Sequence, residues 1–232
     1  MLTPRRALAR TLLTLAAVVS PALLVHTTAV EASAATVSGA WDFEESSGTT
    51  AHDSSSFNND GTILKQPTLR QAGHTGSAFL FGTNSSWVKV PTAASLNPGT
   101  ADFEASAWIK GTVAPASGQT YDVIRKGLST TAGGEYKLEI IPGGKVRCSA
   151  KDAARVRGVA TSTTSVMNGS WHKVACRLTG STWAVVVDGS VRASRSVPFG
   201  TIANTKDLSI GAKYGQEDGF RGLIDEVRLT VG

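Results

Sequence analysis

The sequence predicts an all-β protein, a two-sheet antiparallel sandwich, and three observations carry that reading. Apolar residues recur at every second position in short runs, as they do when one strand face is buried and the other is solvated. Clusters of Gly, Asp, Asn, Pro and Ser cut these runs at a spacing of roughly eight to twelve residues, the rhythm of short strands joined by turns. No apolar series at helical spacing exceeds two turns.

The chain opens with the cationic segment MLTPRRALAR, continues into the apolar run TLLTLAAVVSPALLV, and reaches small residues at Ala32, Ser33 and Ala34. That order is an export signal of bacterial type with cleavage after Ala34, so residues 1–34 are set apart and the protein is expected to be secreted. The apolar run is too short and too interrupted for a spanning helix, and no later stretch is long enough, so no membrane insertion is expected after cleavage. The remaining 198 residues, 35–232, fit one sandwich domain. They hold 20 basic and 17 acidic residues, a net charge of +3, which gives no reason to expect a nucleic-acid partner. Lys145, Arg147, Lys151, Arg155 and Arg157 form one local basic stretch; without interleaved aromatics it reads as a solvated strand face and loop.

The strands follow from the alternation. In FEASAWIK, Phe103, Ala105, Ala107 and Ile109 share the apolar face while Glu104, Ser106, Trp108 and Lys110 share the other. Residues 114–119 and 129–134 read as loops. In EYKLEI, Tyr136, Leu138 and Ile140 face one way, and Pro142-Gly143-Gly144 turns the chain back into KVRCSA as a hairpin. There Val146, Cys148 and Ala150 should point inward, as should Val174, Cys176 and Leu178, with His172, in WHKVACRLTG. WAVVV, Asp188-Gly189 and SVRASRSV form a second hairpin, since Asp-Gly accepts the positive φ angles of a tight turn. LSIGA and FRGLIDEVRLTV close the sheets. Two cysteines in an exported chain read as one disulfide, Cys148–Cys176, joining two inward faces and stabilising the fold by about 3 kcal/mol.

Several phrases in order resemble the laminin G-like jelly roll of the concanavalin A-like lectin/glucanase superfamily. They are Trp41-Asp42-Phe43-Glu44-Glu45, Asp53 to Ser56 and Asn59-Asp60-Gly61-Thr62, then Phe103 to Lys110 and Arg125-Lys126-Gly127. Trp171 to Val174, Val187-Asp188-Gly189, Leu208 to Gly211 and Phe220 to Arg228 complete the series. The resemblance implies a jelly-roll sandwich, but this fold hosts many functions.

Alternation puts Asp225 on the face of Leu223, Val227 and Leu229, so it should be buried and needs a cation or several backbone N–H donors. The resemblance implies a structural calcium between the first and last strands, with Asp225 as a ligand and Asp42, Glu44 or Asp53 and backbone carbonyls as companions. The glucanase branch uses a Glu-x-Asp-x-x-Glu strand that this sequence lacks. Asp225 and Glu226 are adjacent and point to opposite faces, Glu135 and Glu139 have no evident acid partner, and no nucleophile elbow occurs. A non-catalytic binding module is therefore expected, with a glycan or an extracellular protein surface as partner. Of five tryptophans, Trp41, Trp171 and Trp183 are expected between the sheets, whereas Trp108 on the polar face could stack on a sugar. Tyr214 and Gln216, in the acidic loop AKYGQEDGF, are further candidate ligand contacts.

Overall fold

The computed structural model describes residues 35–82 and 85–232; the export signal read over 1–34 lies outside the described residues. Sixteen strands are described. The first eight are β1 (Thr36–Trp41), β2 (Thr50–Ala51), β3 (Gly61–Leu64), β4 (Thr68–Ala72), β5 (Ser77–Phe81), β6 (Trp87–Val90), β7 (Phe103–Lys110) and β8 (Tyr121–Lys126). Then follow β9 (Glu135–Ile141), β10 (Lys145–Lys151), β11 (Arg157–Ser165), β12 (His172–Thr179), β13 (Thr182–Val187), β14 (Ser190–Ser196), β15 (Leu208–Ile210) and β16 (Gly222–Val231). They form two antiparallel sheets, a jelly-roll sandwich. Sheet A has the order β14-β13-β12-β7-β16-β5-β4, with β1 also on β16, and sheet B has the order β11-β10-β9-β8-β15-β6-β3-β2.

The apolar faces meet as the alternation requires. Phe103, Ala105, Ala107 and Ile109 of β7 and Tyr136, Leu138 and Ile140 of β9 are all buried in one core with Trp41, Phe43, Phe79 and Trp183. The Phe43 and Phe79 rings stack with centroids 4.3 Å apart. Asp188 and Gly189 both take positive φ in the β13–β14 turn, as a two-residue hairpin demands. Cys148 on β10 and Cys176 on β12 are bonded, so the disulfide ties sheet B to sheet A through the core. Beside it the Trp183 indole N–H donates to the Cys148 carbonyl at 3.2 Å, satisfying a buried donor.

Two placements differ from the period-two reading. Asp225 is buried, but on the outer face of sheet A opposite Trp108, while Ile224, Val227 and Leu229 face the core. The register against β7 shifts between Asp225 and Arg228, and Glu226 sits at φ 45. This bulge adds a residue and reverses the facing of everything upstream of it. Trp171, expected between the sheets, instead lies half-buried just before β12, edge-on to His74 with centroids 6.2 Å apart.

Candidate binding groove

The outer face of sheet B carries charge at every second residue. Glu135, Lys137 and Glu139 alternate with the core residues of β9, and Arg147 and Lys151 do the same on β10. Glu139 is fully buried between Arg147 Nε at 2.6 Å and Lys137 Nζ at 2.8 Å. Burial pushes its carboxyl up, yet the Arg147 hydrogen bond and the Lys137 charge outweigh that and hold it below its usual value. Across the ladder Asp122 is also fully buried and pairs with Arg125 through two guanidinium contacts. Here burial wins over Arg125, and the carboxyl is pushed up to about 6. The sign follows directly. Asp122 binds its proton more tightly folded than unfolded, so its contribution to stability is full below the ordinary value of 3.8 and falls as pH rises to about 6. Carboxyl carbon NMR shifts are expected to show Asp122 titrating near pH 6, and a midpoint near 4 would contradict this environment.

A raised acid beside an ionised one is the pattern of an acid–base pair. Both carboxylates are wholly covered and clamped by cations, so neither reaches a substrate, and the pair serves to hold the sheet surface.

Residues 211–220 form a strap over this face. The Asp122 amide donates to the Asp218 carbonyl at 2.7 Å, and the Tyr214 hydroxyl accepts from the Gly127 amide at 2.7 Å and donates to the Asp207 carbonyl at 3.3 Å. The Tyr214 ring meets Trp87 edge-on, and Gly215, at φ 68, lies so near the indole that an added Cβ would fall 2.1 Å from Trp87 Nε1. Tyr214 is thus an anchor of the strap, while Gln216 is exposed at its tip. Three adjoining depressions follow one another, the first two bordered by the strap. One of about 280 Å³ sits between the strap and residues 118–121, one of about 470 Å³ over Arg125, Lys137 and Ser149, and one of about 500 Å³ beside Lys151 and Arg155. The first two share Asp218, and the last two share Ser129, Thr130 and Arg157.

The remaining sequence candidates sit elsewhere. Trp108 does lie on the outer face of sheet A, but His74 stacks on it with centroids 3.5 Å apart at 12°, and His74 Nδ1 meets the Glu226 carboxylate at 2.6 Å. The indole face a sugar would use is therefore occupied by the chain itself. Asp225, Asp53 and Asp42 do not converge. Asp225 accepts from the amides of His74, Thr75 and Glu226. Asp53 accepts from the amides of Ala40, Ser55 and Asn59, and Asp42 pairs with Arg228 and the Ser54 hydroxyl. Glu44 accepts from the Ser77 amide. Among the described residues no group of three or more His, Cys, Asp or Glu comes together, whereas the Glu44 and Asp225 carboxylates both border the 73–77 segment, where the Thr75 and Ser77 carbonyls also lie. Melting midpoints measured in calcium and in chelator decide the calcium expected from the sequence: a rise with calcium shows a bound cation, and coincident midpoints remove it.

The sequence reading gave no site role to Asp122, Arg125 or Lys137. Their signal was present in the alternation of Glu135, Lys137 and Glu139, whose opposite charges at every second position mark a polar face built to pair.

Sandwich and groove together define a lectin- or glucanase-type jelly roll. A family model described as Laminin_G_3, Concanavalin A-like lectin/glucanases superfamily, matches residues 81–230, and the chain belongs to that family. Comparison with curated proteins gives no match. Among solved structures, the binding domain of Paraclostridial Mosquitocidal Protein 1 is similar with TM-score 0.68 at 13% identity, covering 84% of this chain and 48% of that one. Domain 4 of AbnA, a GH43 extracellular arabinanase from Geobacillus stearothermophilus solved in complex with arabinotriose, has TM-score 0.63 at 18% identity, covering 85% and 93%. The binding domain of botulinum neurotoxin serotype D has TM-score 0.65 at 14% identity, covering 84% and 47%. The chain thus spans about half the length of the toxin binding domains. Among the described residues no helix is long and apolar enough to cross a membrane.

Proposed function

We propose that the domain is a secreted, non-catalytic glycan-binding module whose groove on the outer face of sheet B takes an extended polysaccharide chain. The observation that carries this reading is the run of three adjoining depressions, lined mainly by hydroxyl, amide and charged groups, with Leu128 and Val159 the larger apolar side chains among them. Such a surface offers many directed hydrogen bonds to ring hydroxyls and little to an apolar ligand. Ion pairs hold the floor in place: Arg125, Lys137 and Arg147 are each paired to a buried acid, so few rotamers need freezing when a ligand arrives. Its likeness to the arabinanase domain, whose complex holds arabinotriose, supports a sugar as ligand. The covered state of Asp122 and Glu139 supports binding without hydrolysis.

Affinity electrophoresis through gels containing neutral and acidic polysaccharides tests the proposal. At least one polymer is expected to retard the domain. Gly215→Ala, which lifts the strap off Trp87, is expected to weaken that retardation severalfold. Equal mobility in every gel would refute a glycan-binding role.

A further inference from the structure

The basic stretch read from the sequence as a solvated face is exposed at Arg155 and Arg157 but not at Lys151. Lys151 is only 4% exposed, and its ammonium donates to the carbonyls of Ser129 at 2.7 Å and Thr131 at 2.8 Å. Among the described residues it forms no ion pair. Arg155, exposed on the turn from Asp152 to Val156, forms none either. Arg157 reaches Glu135 only at 3.9 Å, and that carboxylate is shared with Arg125 at 3.8 Å. All three cations line the depression of about 500 Å³, together with Ser129, Thr130 and Thr131. The one acid in its lining is Asp152, which is buried and has both oxygens engaged. Oδ1 accepts from the Val156 amide and Oδ2 from the Gly200 amide, each at 2.8 Å.

A buried ammonium balanced by carbonyl dipoles alone is an electrostatic cost that an incoming anion would offset. Two guanidinium groups beside it supply the planar forks that match a carboxylate or a sulfate. We propose that this depression is an anion subsite of the groove, so that the polysaccharide it takes is acidic and carries carboxylate or sulfate-ester groups. This inference rests on the glycan-binding reading and adds the charge class of the ligand.

The experiment compares binding of the whole domain to polygalacturonate, a sulfated galactan and a neutral linear arabinan. Each is measured at about 0.05 M and about 0.5 M salt, since screening weakens exposed charge contacts. Arg155→Gln with Arg157→Gln removes the two exposed cations, and Arg192→Gln, on the exposed strand β14, is the control. Unchanged melting midpoints establish that the variants fold.

One acidic polymer is expected to bind about tenfold or more tighter than arabinan at low salt, with the advantage shrinking at high salt. The double variant is expected to lose that advantage while the control keeps it. Whether polygalacturonate or the sulfated galactan shows it separates a carboxylate from a sulfate ligand. Equal binding of neutral and acidic polymers, or an acidic preference that survives in the double variant, overturns the anion subsite and leaves glycan binding standing. Failure of every polymer to bind overturns both.

Discussion

Replacing Cys148 and Cys176 together by alanine is expected to lower the melting midpoint by about 6–12 °C, measured by scanning calorimetry against the oxidised domain. The bridge closes 28 residues of chain, a loop that the unfolded ensemble would otherwise explore freely, and that constraint is worth about 3 kcal/mol. The two ends belong to different sheets, β10 in sheet B and β12 in sheet A, so the bond limits sliding of one layer over the other as well as chain entropy. Both sulfurs are buried, and alanine leaves no polar group behind, so the loss measures the cross-link and a small cavity. A midpoint within about 2 °C of the parent would mean that the sandwich interface alone holds the sheets in register.

The second large effect is expected at Asp53. Asp53→Ala should cost about 3–4 kcal/mol, because a charged acceptor of several hydrogen bonds is lost while its donors stay where they are. Its carboxylate accepts the amides of Ala40 at 2.7 Å, Ser55 at 2.9 Å and Asn59 at 2.7 Å, and the Ser55 hydroxyl at 2.8 Å. These contacts fasten the 53–59 loop to β1, and the same loop receives the Trp41 indole N–H on the Asn59 carbonyl. Asp53→Asn keeps the size and one carbonyl acceptor and should lose about half as much. Urea denaturation of both variants checks the order; an alanine variant within about 1 kcal/mol of the parent would show that water replaces the carboxylate without loss.

What the sequence determined by itself was everything that depends on neighbours along one strand. Alternation in Phe103 to Ile109, Tyr136 to Ile140 and Val146 to Ala150 named the core faces, since in a strand without a bulge a side chain's facing follows from its parity. The Asp188-Gly189 turn was legible because few residue pairs accept its φ angles. The two cysteines could be paired because there were only two.

Tertiary structure alone decided the rest. The bulge at Asp225 and Glu226 is one extra residue with no glycine to announce it, and it moved Asp225 from the core face to the outer one. His74 covers Trp108 from 34 positions away, and the strap reaches Asp122 across 96, distances at which sequence pattern carries no geometry. The groove exists because β15 enters sheet B between β8 and β6 and delivers the strap onto the charged face. Strand order fixes which surfaces meet, and it is set by the free energy of the whole sandwich rather than by any local run.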